Sequence, residues 1–249
     1  MLLFPGPQPV SIERRNFAQL RAKPYLYCEK TDGTRYVLVC ETDKAVLLDR
    51  ALKRIPAGVR IPHNTMLDGE LVKTKEGKNI FLVFDAFKLR GVDVTQENLT
   101  QRLKLAQELV KSIIKVKTAP FEIRVKNMYS SVAAMPPMET LQWETDGVVM
   151  TPVNEPVRHG THETMFKWKP MDRITIDFLY KDSELWIQNR RQVELSEPWP
   201  FKNGDIVECG YSNGWFPIKA RTDKRHPNNA RTFDRTLVNL REAIRFSEL

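Results

Sequence analysis

Five short segments of the chain gather side chains suited to phosphate chemistry. Glu29-Lys30-Thr31-Asp32-Gly33-Thr34-Arg35 places a lysine just before an Asp-Gly turn and an arginine just after it. A lysine acting as a nucleophile must shed its proton, and its unperturbed pKa lies near ~10.4. Neighbouring cations and partial desolvation both disfavour the charged form and ease that loss. Alone, the segment reads more readily as a surface lysine in an ordinary turn. Asp68-Gly69-Glu70-Leu71 sets a glutamate at the start of a strand after a second Asp-Gly turn. Such a carboxylate suits ribose hydroxyls or a hard divalent cation, and alone it reads as a hairpin turn with a solvated glutamate. Thr145-Asp146-Gly147-Val148-Val149-Met150 repeats the arrangement, so that carboxylates from separate units can converge on one metal.

The other two segments are basic. In Phe166-Lys167-Trp168-Lys169-Pro170, strand alternation would send Lys167 and Lys169 to one face and Trp168 to the other. Two like charges brought together call for an anion, and phosphate is the natural one; otherwise the segment is a basic edge strand. In Arg221-Thr222-Asp223-Lys224, Arg221 and Lys224 can grip a pyrophosphate that Asp223 helps orient, or the segment is a charged loop. His159-Gly160-Thr161-His162 has no further ligands at metal-site spacing and reads as a loop leading to the lysine pair.

Short strands and two helices must position these groups. Tyr25–Glu29 leads to a turn over residues 31–33, and Tyr36–Cys40 follows. Ala45–Asp49, Leu67–Val72 and Ile80–Phe84 read as further strands, with a hairpin turn at Gly77. Leu99, Leu103, Ala106, Val110 and Ile113 share one face of a helix from about Thr95 to Val116, with Arg102, Lys104, Glu108 and Lys111 on its solvated face. Strands at Phe121–Val125 and Gly147–Thr151 close this half. Beyond Pro170, Ile174–Tyr180, Glu184–Gln188, Gln192–Leu195, Asp205–Tyr211 and Trp215–Ala220 read as five short strands. They suggest a small barrel with an OB-fold as the leading candidate. A final helix presents Ala230, Phe233, Leu237, Leu240 and Ile244 on one face. The expected class is α+β: a domain over 1–170 with antiparallel sheets, then a barrel domain with a terminal helix over 171–249.

The 249 residues are 41% hydrophobic, which allows a sizeable core, and the formal net charge is +8. That balance suits a polyanionic partner but names none. Three cysteines, Cys28, Cys40 and Cys209, make neither a disulfide framework nor a zinc site and fit a reducing compartment. Cys28 reads as a small buried residue. The prolines at 5, 7 and 9 interrupt any signal-like run, and no stretch is long enough to span a membrane. A soluble, intracellular protein is expected, nuclear or cytoplasmic.

The segments also occur in a telling order. Lys30-x-Asp32-Gly33-x-Arg35, Asp68-Gly69-Glu70, Phe81–Asp85, Asp146-Gly147-Val148, Lys167-x-Lys169-Pro170 and Arg221-x-Asp223-Lys224 resemble the collinear motifs of the covalent nucleotidyltransferases. That superfamily comprises mRNA capping guanylyltransferases and the DNA and RNA ligases. Phe4-Pro5-Gly6-Pro7-Gln8-Pro9-Val10-Ser11 and the Arg221–Lys224 segment followed by Pro227-Asn228 resemble capping enzymes in particular, and the compact ones of large DNA viruses most. The resemblance implies a ligase-type (ATP-grasp-like) nucleotidyltransferase domain followed by an OB-fold. It implies that Lys30 forms a lysyl–GMP phosphoramidate from GTP and passes the GMP to a 5′-diphosphate RNA end, with an ATP-dependent polynucleotide ligase as the alternative. Arg35 and Glu70 would contact the ribose, Phe84 would stack on guanine, and Lys126 would donate to its O6. Lys167 and Lys169 would hold the α-phosphate, while Glu70 and Asp146 would place Mg²⁺ or Mn²⁺. Arg221 and Lys224 would hold the outer phosphates on domain closure, supported by Asp223 and Asp177. Triphosphatase and cap methyltransferase activities would come from separate chains, and a monomer is expected.

Overall fold

The computed structural model describes residues 4–42, 44–113, 119–188, 190–222 and 224–249. Its contacts divide the chain into two units. The first is built on Phe17–Trp168 with the chain up to Val10, and the second on Lys169–Glu248 with Ser11–Asn16.

Two sheets make the first unit. One has four strands in the order Pro7–Ser11, Gly160–Trp168, Thr145–Pro152 and Tyr25–Thr31. The Pro7–Ser11 strand was hidden by its prolines. It lies at the sheet's edge, where a missing N–H is tolerated. The other sheet has seven strands. Its path runs Arg54–Pro56, Ala45–Leu48, Thr34–Cys40, Thr65–Lys73, Asn79–Leu89, Val92–Asp93, and Glu122–Val125 pairs in parallel with Asn79–Leu89. All other recorded pairs are antiparallel.

The turn at Asp32–Gly33 is not a hairpin. Tyr25–Thr31 belongs to the smaller sheet and Thr34–Cys40 to the larger, so the chain changes sheets between Lys30 and Arg35. Glycine is required at 33, because a Cβ there would come within 2.6 Å of the Leu71 carbonyl oxygen. The other two Asp-Gly pairs are not turns either. Asp68-Gly69 lies inside the strand Thr65–Lys73, at a register shift against Asn79–Leu89. Asp146-Gly147 lies in Thr145–Pro152, where the pairing with Tyr25–Thr31 shifts between Thr145 and Val148. Asp-Gly supplied bulges here rather than turns, because both strands have partners on either side.

A short helix at Phe17–Ala22 precedes the one expected from about Thr95, which is shorter than its periodicity suggested, running Leu99–Ser112. Asn98 caps it by accepting from Gln101 N at 2.9 Å, which fixes the start after Thr95. The expected extension to Val116 falls outside the described residues. Leu99, Leu103, Ala106 and Leu109 are buried, and Ala106 and Leu109 pack with Leu38, Phe81 and Val83 of the large sheet. Arg102 does not face solvent as expected. Its side chain is 2% exposed and forms a two-pronged bridge to Asp85, with Nε–Oδ1 at 2.6 Å and Nη2–Oδ2 at 2.9 Å. Apolar periodicity alone cannot reveal a charge whose partner lies on another element.

The second unit holds five strands in the order Arg190–Glu194, Glu184–Ile187, Thr175–Lys181, Ile206–Tyr211, Trp215–Ala220. The first four form a Greek key, because the fourth strand in sequence returns beside the first. With a fifth strand this is the organisation an OB-fold also uses. Phe178, Tyr180, Leu185 and Val207 form its core, closed by Phe233 and Leu237 of the helix Ala230–Glu242. Asn229 caps that helix, and Ala243 ends it in the left-handed region, so Ile244 lies beyond the helix rather than on its face. Ser11–Asn16 joins this unit: Asn239 Nδ2 donates to Ile12 O at 2.7 Å.

Candidate active site

The pocket lies within the first unit and encloses about 750 Å³ including its open mouth. The small sheet contributes Cys28, Lys30, Val149 and Lys167. Register explains the grouping, since Val149 pairs with Cys28 on one side and Lys167 on the other, while Lys30 follows Cys28 by two. The large sheet contributes Arg35, Glu70 and Phe84, with Arg35 directly opposite Glu70. Lys126 enters just past Glu122–Val125, and its own N–H donates to Val83 O at 2.7 Å.

Lys30 Nζ donates to Asp146 Oδ1 at 2.6 Å, and the lysine side chain is 24% exposed. The bulge at Asp146-Gly147 makes this pairing possible. Gly147 sits at φ +149°, a conformation L side chains rarely adopt. Lys126 is buried; its Nζ donates to Glu29 O at 2.7 Å and to Thr31 Oγ1 at 3.2 Å, and the Thr31 hydroxyl in turn donates to Glu70. A continuous polar chain thus links Lys126, Thr31 and Glu70 across the two sheets.

Arg35 is held by Asp68, Pro7 and two aromatic rings. Its guanidinium clasps Asp68 through Nε–Oδ1 at 3.1 Å and Nη2–Oδ2 at 2.6 Å, and Nη1 donates to Pro7 O at 2.7 Å. The rings of Phe4 and Phe84 each lie 5.2 Å from it. Asp68 was read as a turn residue; it is fully buried, and burial pushes its carboxyl up from the usual range while Arg35 opposes that shift.

Lys167 lines the pocket, with Trp168 buried as alternation predicts. Lys169 does not line it: the strand ends at Trp168, so alternation no longer applies, and Lys169 falls in the second unit. Arg221 and Lys224 occur there together. Arg221 Nη1 lies 3.1 Å from Asp177 Oδ1, Lys224 Nζ bonds Asp177 Oδ2, and both line a separate pocket with Thr222 and Arg225. Asp223 lies outside the described residues.

Sequence reasoning missed Arg50, which lies on the turn after Ala45–Leu48 and lines the first pocket. No motif signalled it. The histidine segment is a loop only at His159, because a strand begins at Gly160. His162 is buried, its Nδ1 lies 3.1 Å from Thr164 Oγ1, and Thr164 Oγ1 donates to Glu155 at 2.6 Å. Cys28 is buried, and burial pushes its thiol up to about 11, far from a nucleophile's range.

The lining thus carries five cationic side chains, Lys30, Arg35, Arg50, Lys126 and Lys167, against two carboxylates, Glu29 and Glu70. Phe84, Met128, Val149 and Met165 add an apolar side. A surplus of positive charge beside an apolar wall suits a ligand with both phosphates and a flat base. Among the described residues, no group of three or more His, Cys, Asp or Glu could hold a metal unaided.

The fold is that of the ligase-type nucleotidyltransferases. A mycobacterial DNA ligase D complexed with ATP and MES superposes with a TM-score of 0.51 at 13% identity, over 96% of this chain and 76% of that one. Residues 2–171 match the mRNA capping enzyme catalytic domain, and residues 114–249 match the mRNA capping enzyme C-terminal domain. The chain belongs to the mRNA capping enzyme family. The mRNA-capping enzyme of Danio rerio is 27% identical over 90% of this chain and 45% of its own length. The mRNA-capping enzyme subunit alpha of Saccharomyces cerevisiae is 31% identical over 70% of this chain and 47% of its own. The chain therefore spans about half the length of these relatives. No helix among the described residues is long and apolar enough to cross a membrane.

Proposed function

We propose that this chain is a GTP:RNA guanylyltransferase that carries GMP on Lys30. The observation that supports it best is the lysine itself, set in a cation-rich pocket at the junction of two sheets. Lys30 Nζ attacks the α-phosphorus of GTP. A P–N bond forms, the bond to the bridging oxygen breaks, pyrophosphate leaves, and the amine loses a proton to solvent. An oxygen of the RNA 5′-diphosphate then attacks the same phosphorus, the P–N bond breaks, and the lysine amine is regenerated.

The chain's residues supply position and charge, the main needs of phosphoryl transfer. Lys30 gives up its contact with Asp146 when it attacks. Lys167 neutralises the α-phosphate. Phe84 stacks on guanine and Lys126 donates to O6, exchanging its bond to Glu29 O for the base. Arg35 and Glu70 hold the ribose. Arg221 and Lys224 serve the outer phosphates, with Asp177 and Asp223 orienting them. Glu70 and Asp146 offer hard oxygen ligands. Both would hold Mg²⁺ or Mn²⁺, which would supply charge neutralisation for the triphosphate.

The protein would act inside the cell, in nucleus or cytoplasm, as a monomer on GTP and RNA. Separate triphosphatase and methyltransferase chains would supply the acceptor end and modify the product. Incubation with α-labelled GTP or ATP tests the reading. Label from GTP is expected, and label from ATP alone would replace it with a polynucleotide ligase.

A further inference from the structure

Residues 4–7 surround a side chain of the pocket without entering the chemistry. The Phe4 ring covers one face of the Arg35 guanidinium and Phe84 also lies 5.2 Å from it. Pro7 O accepts from Nη1 at 2.7 Å. Gly6 fits so closely that a Cβ would lie 2.4 Å from Arg35 Nη2, 2.8 Å from Asp68 Oδ2 and 2.8 Å from the Phe4 ring. The segment is anchored beyond Arg35 as well: the Pro5 carbonyl accepts from His159 Nδ1 at 2.7 Å, and Pro7 begins the edge strand that pairs with Gly160–Trp168. Gln8 and Pro9, immediately after, line the pocket.

We propose that Phe4, Gly6 and Pro7 are positioning residues for the nucleotide, acting through Arg35. A free guanidinium on a long flexible side chain would lose side-chain entropy on meeting a ribose. Here the loss has already occurred: Asp68, Pro7 O and two aromatic faces fix the plane of the group. Among the described residues its recorded bonds use Nε–H and one N–H on each terminal nitrogen, so two of the five donors remain for a ligand. The contact at Phe84 ties this to base binding. Phe84 holds Arg35 and also lines the pocket, so the ring meant to stack on the base is steadied by the cation that contacts the sugar. The N-terminal segment thereby sets both groups at once, and its absence of a side chain at Gly6 is part of the site.

The inference rests on the guanylyltransferase reading, and the test separates the two. Lys30 labelling is measured against GTP concentration for wild type, Gly6→Ala, Phe4→Leu and Phe4→Tyr, each alone and with Arg35→Ala. Melting temperatures are recorded for all. Gly6→Ala is expected to raise the half-saturating GTP by about tenfold, and Phe4→Leu by about threefold, with the maximal rate less affected. Phe4→Tyr, which keeps the ring, restores the wild-type value. With Arg35→Ala present, neither change has a further effect, because what they position is gone. Equal losses with and without Arg35, or losses that follow melting temperature alone, overturn the positioning role. If Gly6→Ala fails to fold, the Phe4 pair decides by the same criterion. A wild-type chain that takes label from no nucleotide overturns the functional reading and this inference with it. Label from GTP with additive losses overturns only this inference.

Discussion

Lys30 and Asp146 form an ion pair, 2.6 Å from Nζ to Oδ1, across two neighbouring strands of one sheet. The nucleophile in this account is thus held by a carboxylate that a bulge turns toward it. The partner fixes where the amine points and must be surrendered before attack. Asp146→Asn keeps the shape and removes the charge. It is expected to slow adduct formation by about a hundredfold, the scale for losing one preorganised charged group, while the melting temperature changes by only a few degrees. Rapid-quench labelling checks this. A wild-type rate in Asp146→Asn would show that the carboxylate has no part in the reaction.

The buried Arg102–Asp85 bridge predicts an asymmetry in stability. Arg102→Met strands a buried carboxylate and should cost about 3–5 kcal/mol. Adding Asp85→Leu removes the stranded charge and should recover most of that loss. Urea unfolding of the two variants measures both values. A double variant no more stable than Arg102→Met would mean that packing, not charge, accounts for the cost.

The first unit should also lose stability in mild acid through His162. Burial holds its pKa below the usual value near ~6.5, outweighing the pull of Glu155; Arg158 and Arg102 act with burial, and Asp85 against it. The unfolded chain therefore takes up a proton at a pH where the folded chain does not. Below about pH 6.5 the unfolded state binds more protons, so stability falls as pH falls. Above that pH the histidine is neutral in both states and contributes no slope. Melting curves at pH 7.5 and 5.5 should show a smaller acid-induced drop for His162→Gln than for wild type. Equal drops would exclude the histidine as a cause.

In the second unit, Asp177 receives both Arg221 and Lys224, and its backbone exchanges hydrogen bonds with Asn228. Asp177→Asn leaves the backbone pair but removes the buried charge that gathers the cations. A loss of about 1–3 kcal/mol is expected, seen as a lower denaturation midpoint for tryptophan fluorescence from Trp199 and Trp215. An unchanged midpoint would mean that the two cations are held by other contacts.

Much of this site was legible because it is written in short segments. Lys30, Arg35, Glu70 and Lys167 stand in segments legible from residue type and spacing, Phe84 and Lys126 were implied by the family resemblance, and all six line one pocket. What failed to show in sequence was tertiary in origin. Asp68-Gly69 and Asp146-Gly147 have the composition of turns, but strands on both sides hold them extended. Lys169 was placed by alternation, which stops where the strand stops. Arg102 looked solvated because its partner, Asp85, lies on a different element. Arg50 and the Phe4–Pro7 clamp carry no local pattern that announces a neighbour. Their roles depend on which side chain the fold brings beside them.

Whether Lys30 becomes covalently bound to GMP is decided by intact-mass measurement after exposure to GTP and Mg²⁺. One acid-labile GMP adduct is expected, mapped to the peptide holding Lys30 and absent from Lys30→Ala. An unmodified wild-type chain, or an adduct that persists in Lys30→Ala, would contradict GMP carriage on Lys30.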